Sequence, residues 1–181
     1  IDINKQDIWG DTPESRAIIQ GHTAIATLLQ QHSSVSMLSK KQRKKTRKKM
    51  KSAIASGDAD KVKTLLDSEM IGVNDVVHRG ATVLSFACKK GHVDVVSVLL
   101  KQKNVLVNQV GKDGATPLIE ACENGHVNVV RLLLARKEIQ INQATKSGAT
   151  PLLITCQKGY LEVVRLLLAR KEVQINQATE N

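Results

Sequence analysis

At 181 residues and 41% hydrophobic content the chain has material for a sizeable core, yet aromatics make up only 2%, so that core must be Leu, Val, Ile and Ala. No apolar run reaches the roughly 18 residues of a membrane-spanning helix, and Ile1-Asp2-Ile3-Asn4 lacks the basic-then-apolar start of a signal peptide. The net charge of +10 is local: Lys40, Lys41, Arg43, Lys44, Lys45, Arg47, Lys48, Lys49 and Lys51 carry nine of the 27 basic residues, leaving 18 against 17 acidic ones. A protein-wide basic field is excluded.

In chain order the elements obey a period. Gly80-Ala81-Thr82-Val83-Leu84 returns 34 residues later as Gly114-Ala115-Thr116-Pro117-Leu118 and again as Gly148-Ala149-Thr150-Pro151-Leu152. Gly91, Gly125 and Gly159 keep the step, with fainter echoes at Gly57 and Gly21. A period of roughly 20 to 50 residues signals a stacked array rather than a compact enzyme domain. Residues 1–31 read as a degenerate first repeat with a preceding hairpin at Ile3-Asn4 to Gly10. There Trp9 is either an anchor or a cover for an exposed end, and Thr12-Pro13, Ala17, Gly21-His22, Ile25 and Leu28-Leu29 hold the spacing. Residues 32–45 read as a Ser-rich, basic connector, flexible at Ser33, Ser34, Ser36 and Ser39, which accounts for a first step of 36. No Pro interrupts Lys40–Ser56, and its Lys, Arg, Gln, Met and Ala favour helix; the first helix of the next repeat is expected to begin early and project a basic end. The second repeat, 46–79, keeps only Ala53, Gly57, Val62, Leu65 and Leu66. The third is 80–113, the fourth 114–147, and the fifth 148–181, cut within the following hairpin.

The fourth repeat shows the unit most clearly. Thr116 is a good N-cap and Pro117 suits a first helical position. Leu118, Ala121 and Cys122 give one apolar face, and Gly125 can take the left-handed conformation of a C-cap. After His126 a second helix carries Val129, Val130, Leu132, Leu133 and Leu134, too apolar to be anything but sandwiched. A polar stretch from Ile141-Asn142-Gln143 to Ser147-Gly148 has the chemistry of a tight hairpin.

Helix, turn, helix and hairpin, with Thr-Pro-Leu, Ala-Cys, Gly-His and Val-Val-x-Leu-Leu-Leu at these offsets, resemble the ankyrin repeat. The resemblance is specific over 80–181, moderate over 46–79 and degraded over 1–31, and each unit runs one residue longer than is usual for the family. It implies an all-α solenoid of stacked helix-turn-helix units joined by β-hairpin-like loops. Both ends fall inside a repeat, and Leu166, Leu167 and Leu168 lack the polar substitutions of a terminal cap, so a piece of a longer array is expected.

Repeated side chains about one helix spacing apart (8–10 Å) are poorly placed for converging chemistry. Cys88, Cys122 and Cys156 are too distant to bridge and read as small buried hydrophobes, reduced and therefore suited to an intracellular protein. His22, His92 and His126 cannot converge on a metal and are expected to hydrogen-bond between neighbouring loops. No phosphate loop, nucleophile elbow, Cys-x-x-Cys or His-Glu-x-x-His occurs. No catalytic, cofactor or metal site is expected, and the chain is read as a non-enzyme.

The resemblance implies a protein partner on the concave face and hairpin tips. Comparing 115–147 with 149–181, eleven of 33 aligned pairs differ and eight of these lie within 119–128 against 153–162, while Val129–Glu138 recurs unchanged as Val163–Glu172. Either exposed positions drift freely or a fixed scaffold displays a varied surface. The offsets expected to face outward are Phe86, Lys89 and Lys90, then Glu120, Glu123 and Asn124, then Ile154, Gln157 and Lys158. Hairpin tips add Lys112, Asp113, Lys146 and Ser147. Phe86 and Ile154 are large apolar side chains at an otherwise polar offset: exposed, they would anchor an interface; otherwise each tucks against its neighbour.

The run Lys40–Lys51 has three readings: a nuclear-import signal, a patch for nucleic acid or acidic membrane, or solvated charge. Stacking aromatics, the usual companion of nucleic-acid binding, are absent beside it. The expected function is a monomeric protein-interaction scaffold, cytoplasmic or nuclear, with the basic electrostatic adaptor as the alternative.

Overall fold

The structure is a computed structural model describing residue 6 and residues 11–175, with the side chains of 14 and 30–39 left aside. The expected hairpin with Trp9 and the arm beyond Ile175 lie outside the described residues. The chain divides into two units, Ile1–Lys45 and Thr46–Asn181, each described by itself.

In the first unit α1 (Pro13–Ile19) begins at a reciprocal cap: Thr12 Oγ1 accepts from the Ser15 N–H at 3.2 Å and Ser15 Oγ accepts from the Thr12 N–H at 2.9 Å. Gly21, at φ 74°, turns the chain into α2 (Thr23–Ser56). The flexible connector expected at 32–45 is not. α2 runs through it without a break. Thr23–Ser56 contains neither Pro nor Gly, and its serines cost a helix only about 0.5 kcal/mol each, too little to stop a segment otherwise rich in helix formers. The early start and basic end expected for the second repeat's first helix follow from the same composition.

In the second unit Gly57, φ 73°, ends α2, and α3 (Ala59–Asp67) follows with Asp58 accepting from the Lys61 N–H at 2.9 Å. Then come β1 (Val76–His78), β2 (Ala81–Thr82) and the helix pairs α4 (Val83–Lys90) with α5 (Val93–Leu100), α6 (Pro117–Glu123) with α7 (Val127–Leu134), and α8 (Pro151–Lys158) with α9 (Leu161–Leu168). Thr82, Thr116 and Thr150 each cap a first helix through the side-chain oxygen, accepting from Ser85, Ile119 and Leu153. First helices stack on first helices, α4 on α6 on α8, and second on second, α5 on α7 on α9. Met50, Ile54, Val62, Leu84, Leu99, Leu118, Leu133 and Leu167 fill one continuous core with essentially no exposure.

Among the described residues only the hairpin of the second repeat is a paired strand, β1 antiparallel to β2. The later hairpins close without paired strands, through Gly111 N–H to Ala115 O at 2.9 Å and Gly114 N–H to Gly111 O at 3.1 Å, then Thr145 N–H to Ala149 O and Gly148 N–H to Thr145 O, both at 3.0 Å. After each second helix, a few residues before the hairpin, asparagines 34 apart form rungs. The Asn74, Asn108 and Asn142 amides donate to the carbonyls of Asn104, Glu138 and Glu172 at 2.6, 2.7 and 2.7 Å. Each accepts in return from the N–H of Leu106, Gln140 or Gln174 at 2.9 Å. Arg136 and Arg170 run the other way, back to Leu100 O and Leu134 O of the preceding unit.

Two of the three loop histidines bond as expected: His92 Nε2 lies 3.1 Å from Ala55 O and His126 Nε2 lies 3.0 Å from Lys89 O. Their rings lie over the glycine of the preceding repeat, a Cβ on Gly57 falling 2.8 Å from His92 Nδ1. Tyr160 covers Gly125 likewise. Cys88 and Cys122 are buried free thiols, and burial pushes Cys122 up to about 12 and Cys88 higher still. Cys156 departs from the expectation: it is exposed. α6 covers one side of α8, and no described helix packs on the other.

Candidate partner-binding surface

The ends of the first helices and the hairpin tips present most of the side chains expected to meet a partner. Lys89, Lys90, Lys112, Asp113, Glu123, Asn124, Lys146, Ser147, Gln157 and Lys158 are all exposed. Three others are not. Phe86 is 3% exposed, Glu120 7% and Ile154 9%, which removes them as outward contacts. The offset they share faces the neighbouring structure instead of solvent. Phe86 packs against His78 of the hairpin, ring centroids 5.3 Å apart and tilted by 58°, with Lys90 Nζ 5.7 Å above its ring. Ile154 packs on Ala115 and Ile119 of the repeat before it. Glu120 reaches back in the same direction to Lys89 Nζ at 3.1 Å.

That pair sets the local electrostatics. Burial raises the Glu120 carboxyl above its ordinary value although the bonded Lys89 ammonium pulls the other way; the hydrogen bond to Glu120 raises Lys89. Burial and the Lys89 ammonium thus oppose each other at Glu120, and burial prevails. Asp113 is also engaged within the fold, its Oδ1 accepting from the Ala115 N–H at 3.2 Å while its carbonyl accepts from the Lys146 N–H at 3.2 Å. The second of these bonds ties one tip to the next.

Beside Phe86 a cleft of about 250 Å³ opens between tip and helix, with His78, Arg79, Lys89 and Lys112 on its walls. His78 is held below its ordinary value by burial first, then by the charges of Lys51, Arg79, Lys90 and Lys89. Arg79 and Gly80 form the two-residue turn of the hairpin with φ of 46° and 86°. Such a turn wants Asn, Asp or Gly at its first position; an arginine there costs about 1 kcal/mol or more. The expected surface omitted Arg79 and His78, because the aligned residues Lys112-Asp113 and Lys146-Ser147 drew attention to later tips. The available signal was Arg79 before Gly80, where such a turn ordinarily has Asn, Asp or Gly.

The run on α2 has Lys40, Lys41, Arg43, Lys44, Lys45, Arg47, Lys48 and Lys49 exposed and Lys51 half-buried. Among the described residues no three His, Cys, Asp or Glu side chains gather as a metal site, and no helix is long and apolar enough to cross a membrane.

The repeat geometry meets its counterpart in the comparisons. The family model for ankyrin repeats, three copies long, matches residues 50–145 and 103–179. The chain belongs to the ankyrin-repeat family. Its second unit is accordingly an all-α ankyrin stack, and ankyrin repeats as a family mediate protein–protein interaction. No curated protein matches the chain.

Proposed function

We propose that this ankyrin array is a protein-binding scaffold whose contact face is made of the hairpin tips and first-helix ends of residues 79–158. One observation carries the reading: the charged and amide side chains at the hairpin tips and first-helix ends are exposed and change from repeat to repeat, while the buried residues of α5, α7 and α9 that fill the shared core stay Val and Leu. Neighbouring repeats offer Lys89 and Lys90, then Glu123 and Asn124, then Gln157 and Lys158, a changing charge pattern on an unchanging frame. Such a surface selects by complementarity and needs no catalytic group. The chain acts as a monomeric, non-enzymatic, intracellular adaptor in this reading. Affinity capture on the full chain tests it. Reversing Lys146 and Lys158 together to Glu should release the retained partner, and reversing Arg131 and Arg165 on the second helices should not. The opposite pattern would refute the assigned face.

A second reading gives the run Lys40–Lys51 the task of holding nucleic acid or an acidic membrane, supported by the exposure of eight of its nine cations on α2. Binding of that kind falls steeply with salt, log K dropping by about 0.9 per neutralised phosphate for each unit of log salt. A captured partner whose affinity shows that slope, and loses it when the run is neutralised, would favour this reading over the first.

A further inference from the structure

The cleft between the second hairpin and α4 differs from the rest of the contact face in the sign and engagement of its charges. Its walls hold Arg79, Lys89 and Lys112 around His78, with Phe86 and Glu120 at the base. Lys90 stands over the Phe86 ring, and Lys51 from the C-terminal part of α2 is near enough to act on His78. The acids in and around this cleft are already occupied. Glu120 is taken by Lys89, and Asp113 by a backbone N–H. The cations are not balanced: Lys51, Arg79, Lys90 and Lys112 make no ion pair among the described residues. One tip further along, the positions equivalent to Arg79, Phe86 and Lys89 carry Asp113, Glu120 and Glu123 while those of His78 and Lys112 carry Lys112 and Lys146, so the excess of positive charge belongs to this cleft.

We propose that this cleft binds an extended acidic peptide segment, rich in aspartate and glutamate, contributed by the protein partner. The inference rests on the contact face assigned above and names what its first two tips take. The cations sit separately on the hairpin turn, on α4, on the next tip and on α2. Dispersed single charges of that kind suit carboxylates spaced along an extended chain. A phosphate dianion would instead ask for convergent donors or a helix N-terminus. Nucleic acid would ask for an exposed ring to stack on; of the two rings here Phe86 is buried and half-buried His78 packs against it. The strained turn supports the same assignment. An arginine at φ 46° is a poor choice for folding, and the residue that relaxes the turn, asparagine, also removes the charge.

That opposition supplies the test. Fluorescence anisotropy of the full chain would be measured with a fluorescein-labelled peptide of alternating glutamate and serine, against a lysine–serine control. The acidic peptide should bind and the control should not. Arg79→Asn should raise the melting temperature while weakening the acidic peptide by about tenfold, and Lys112→Glu should weaken it at least as much. Lys137→Glu, an exposed charge outside the cleft, should leave affinity within about twofold because screening at physiological salt confines the effect to about 8 Å. Equal losses from Lys137→Glu would mean that net charge alone is read, and would overturn the proposal. So would unchanged binding in Arg79→Asn, or loss confined to Lys40→Glu/Lys41→Glu. Arg79-dependent binding that is tighter to a single-stranded RNA oligonucleotide or to phosphatidylserine vesicles than to the peptide would overturn the peptide assignment. If the acidic peptide fails while the captured partner still depends on Lys146 and Lys158, the inference falls and the proposed contact face stands.

Discussion

Replacing Asn108 with Ala isolates what holds consecutive repeats in register. The side chain makes two bonds into the next unit, donating to Glu138 O at 2.7 Å and accepting from the Gln140 N–H at 2.9 Å. A neutral hydrogen bond nets about 1 kcal/mol. Both bonds are open to solvent, so the freed carbonyl and amide recover water and the loss stays near the net value. The expected cost is about 1–2 kcal/mol, or a melting temperature lower by roughly 3–6 °C for a chain of this size. Asn108→Asp keeps the acceptor for Gln140 but turns a donor into an anion facing a carbonyl, and it should lose at least the Glu138 half. Because each repeat contacts only its neighbours, Asn108→Ala and Asn142→Ala should add. Urea unfolding followed by circular dichroism gives the energies, and amide exchange at Gln140 reports the local bond. A cost below about 0.3 kcal/mol with Gln140 exchange unaltered would refute the reasoning that these rungs tie the units together.

Three further outcomes follow from the same geometry. Gly91→Ala places a methyl against the His126 ring at a left-handed φ of 74°, whereas Gly159→Ala, at φ 73°, meets open space; unfolding free energies should show the first costing clearly more than the roughly 1 kcal/mol of backbone strain common to both. Glu120 has its carboxyl raised above the ordinary 4.5 by burial, so the folded state holds that proton more tightly, and the associated stability, present below 4.5, is lost as pH rises through the raised value. Glu120→Gln should therefore gain on the parent as pH climbs from about 4.5 towards neutrality; a difference independent of pH in urea melts would contradict the shift. With a thiol-reactive dye, Cys156 should label in the native state at once, and Cys88 and Cys122 only at the rate of unfolding, being buried with thiols raised by burial; fast labelling of all three would contradict the packing.

The stack was legible because its signals recur: Thr at each first-helix cap, Gly at each turn and Leu at each core position declare themselves by repetition, and the structure uses them so. The contact face was legible only in part. Burial of Phe86, Glu120 and Ile154 depends on where the preceding repeat lies, which the spacing within one helix does not encode. The connector failed for the opposite reason: Ser33, Ser34, Ser36 and Ser39 read as flexible, but with neither Pro nor Gly beside them they do not stop a helix that runs from Thr23 to Ser56. Asn74, Asn108 and Asn142 stood in plain view at the 34-residue step, and their bonds to the next unit need coordinates to be seen. Arg79 and His78 lacked repetition altogether, which is also what sets their cleft apart.

The most direct test of the scaffold account is an amide-exchange footprint of the full chain in complex with the protein it retains. The account predicts slowed exchange at 79–81, 89–90, 112–113, 123–124, 146–147 and 157–158, with the outward residues of α5, α7 and α9 unaffected. Protection centred on residues such as Asp94, Asn128, Arg131 and Glu162, with the tips exchanging freely, would contradict it.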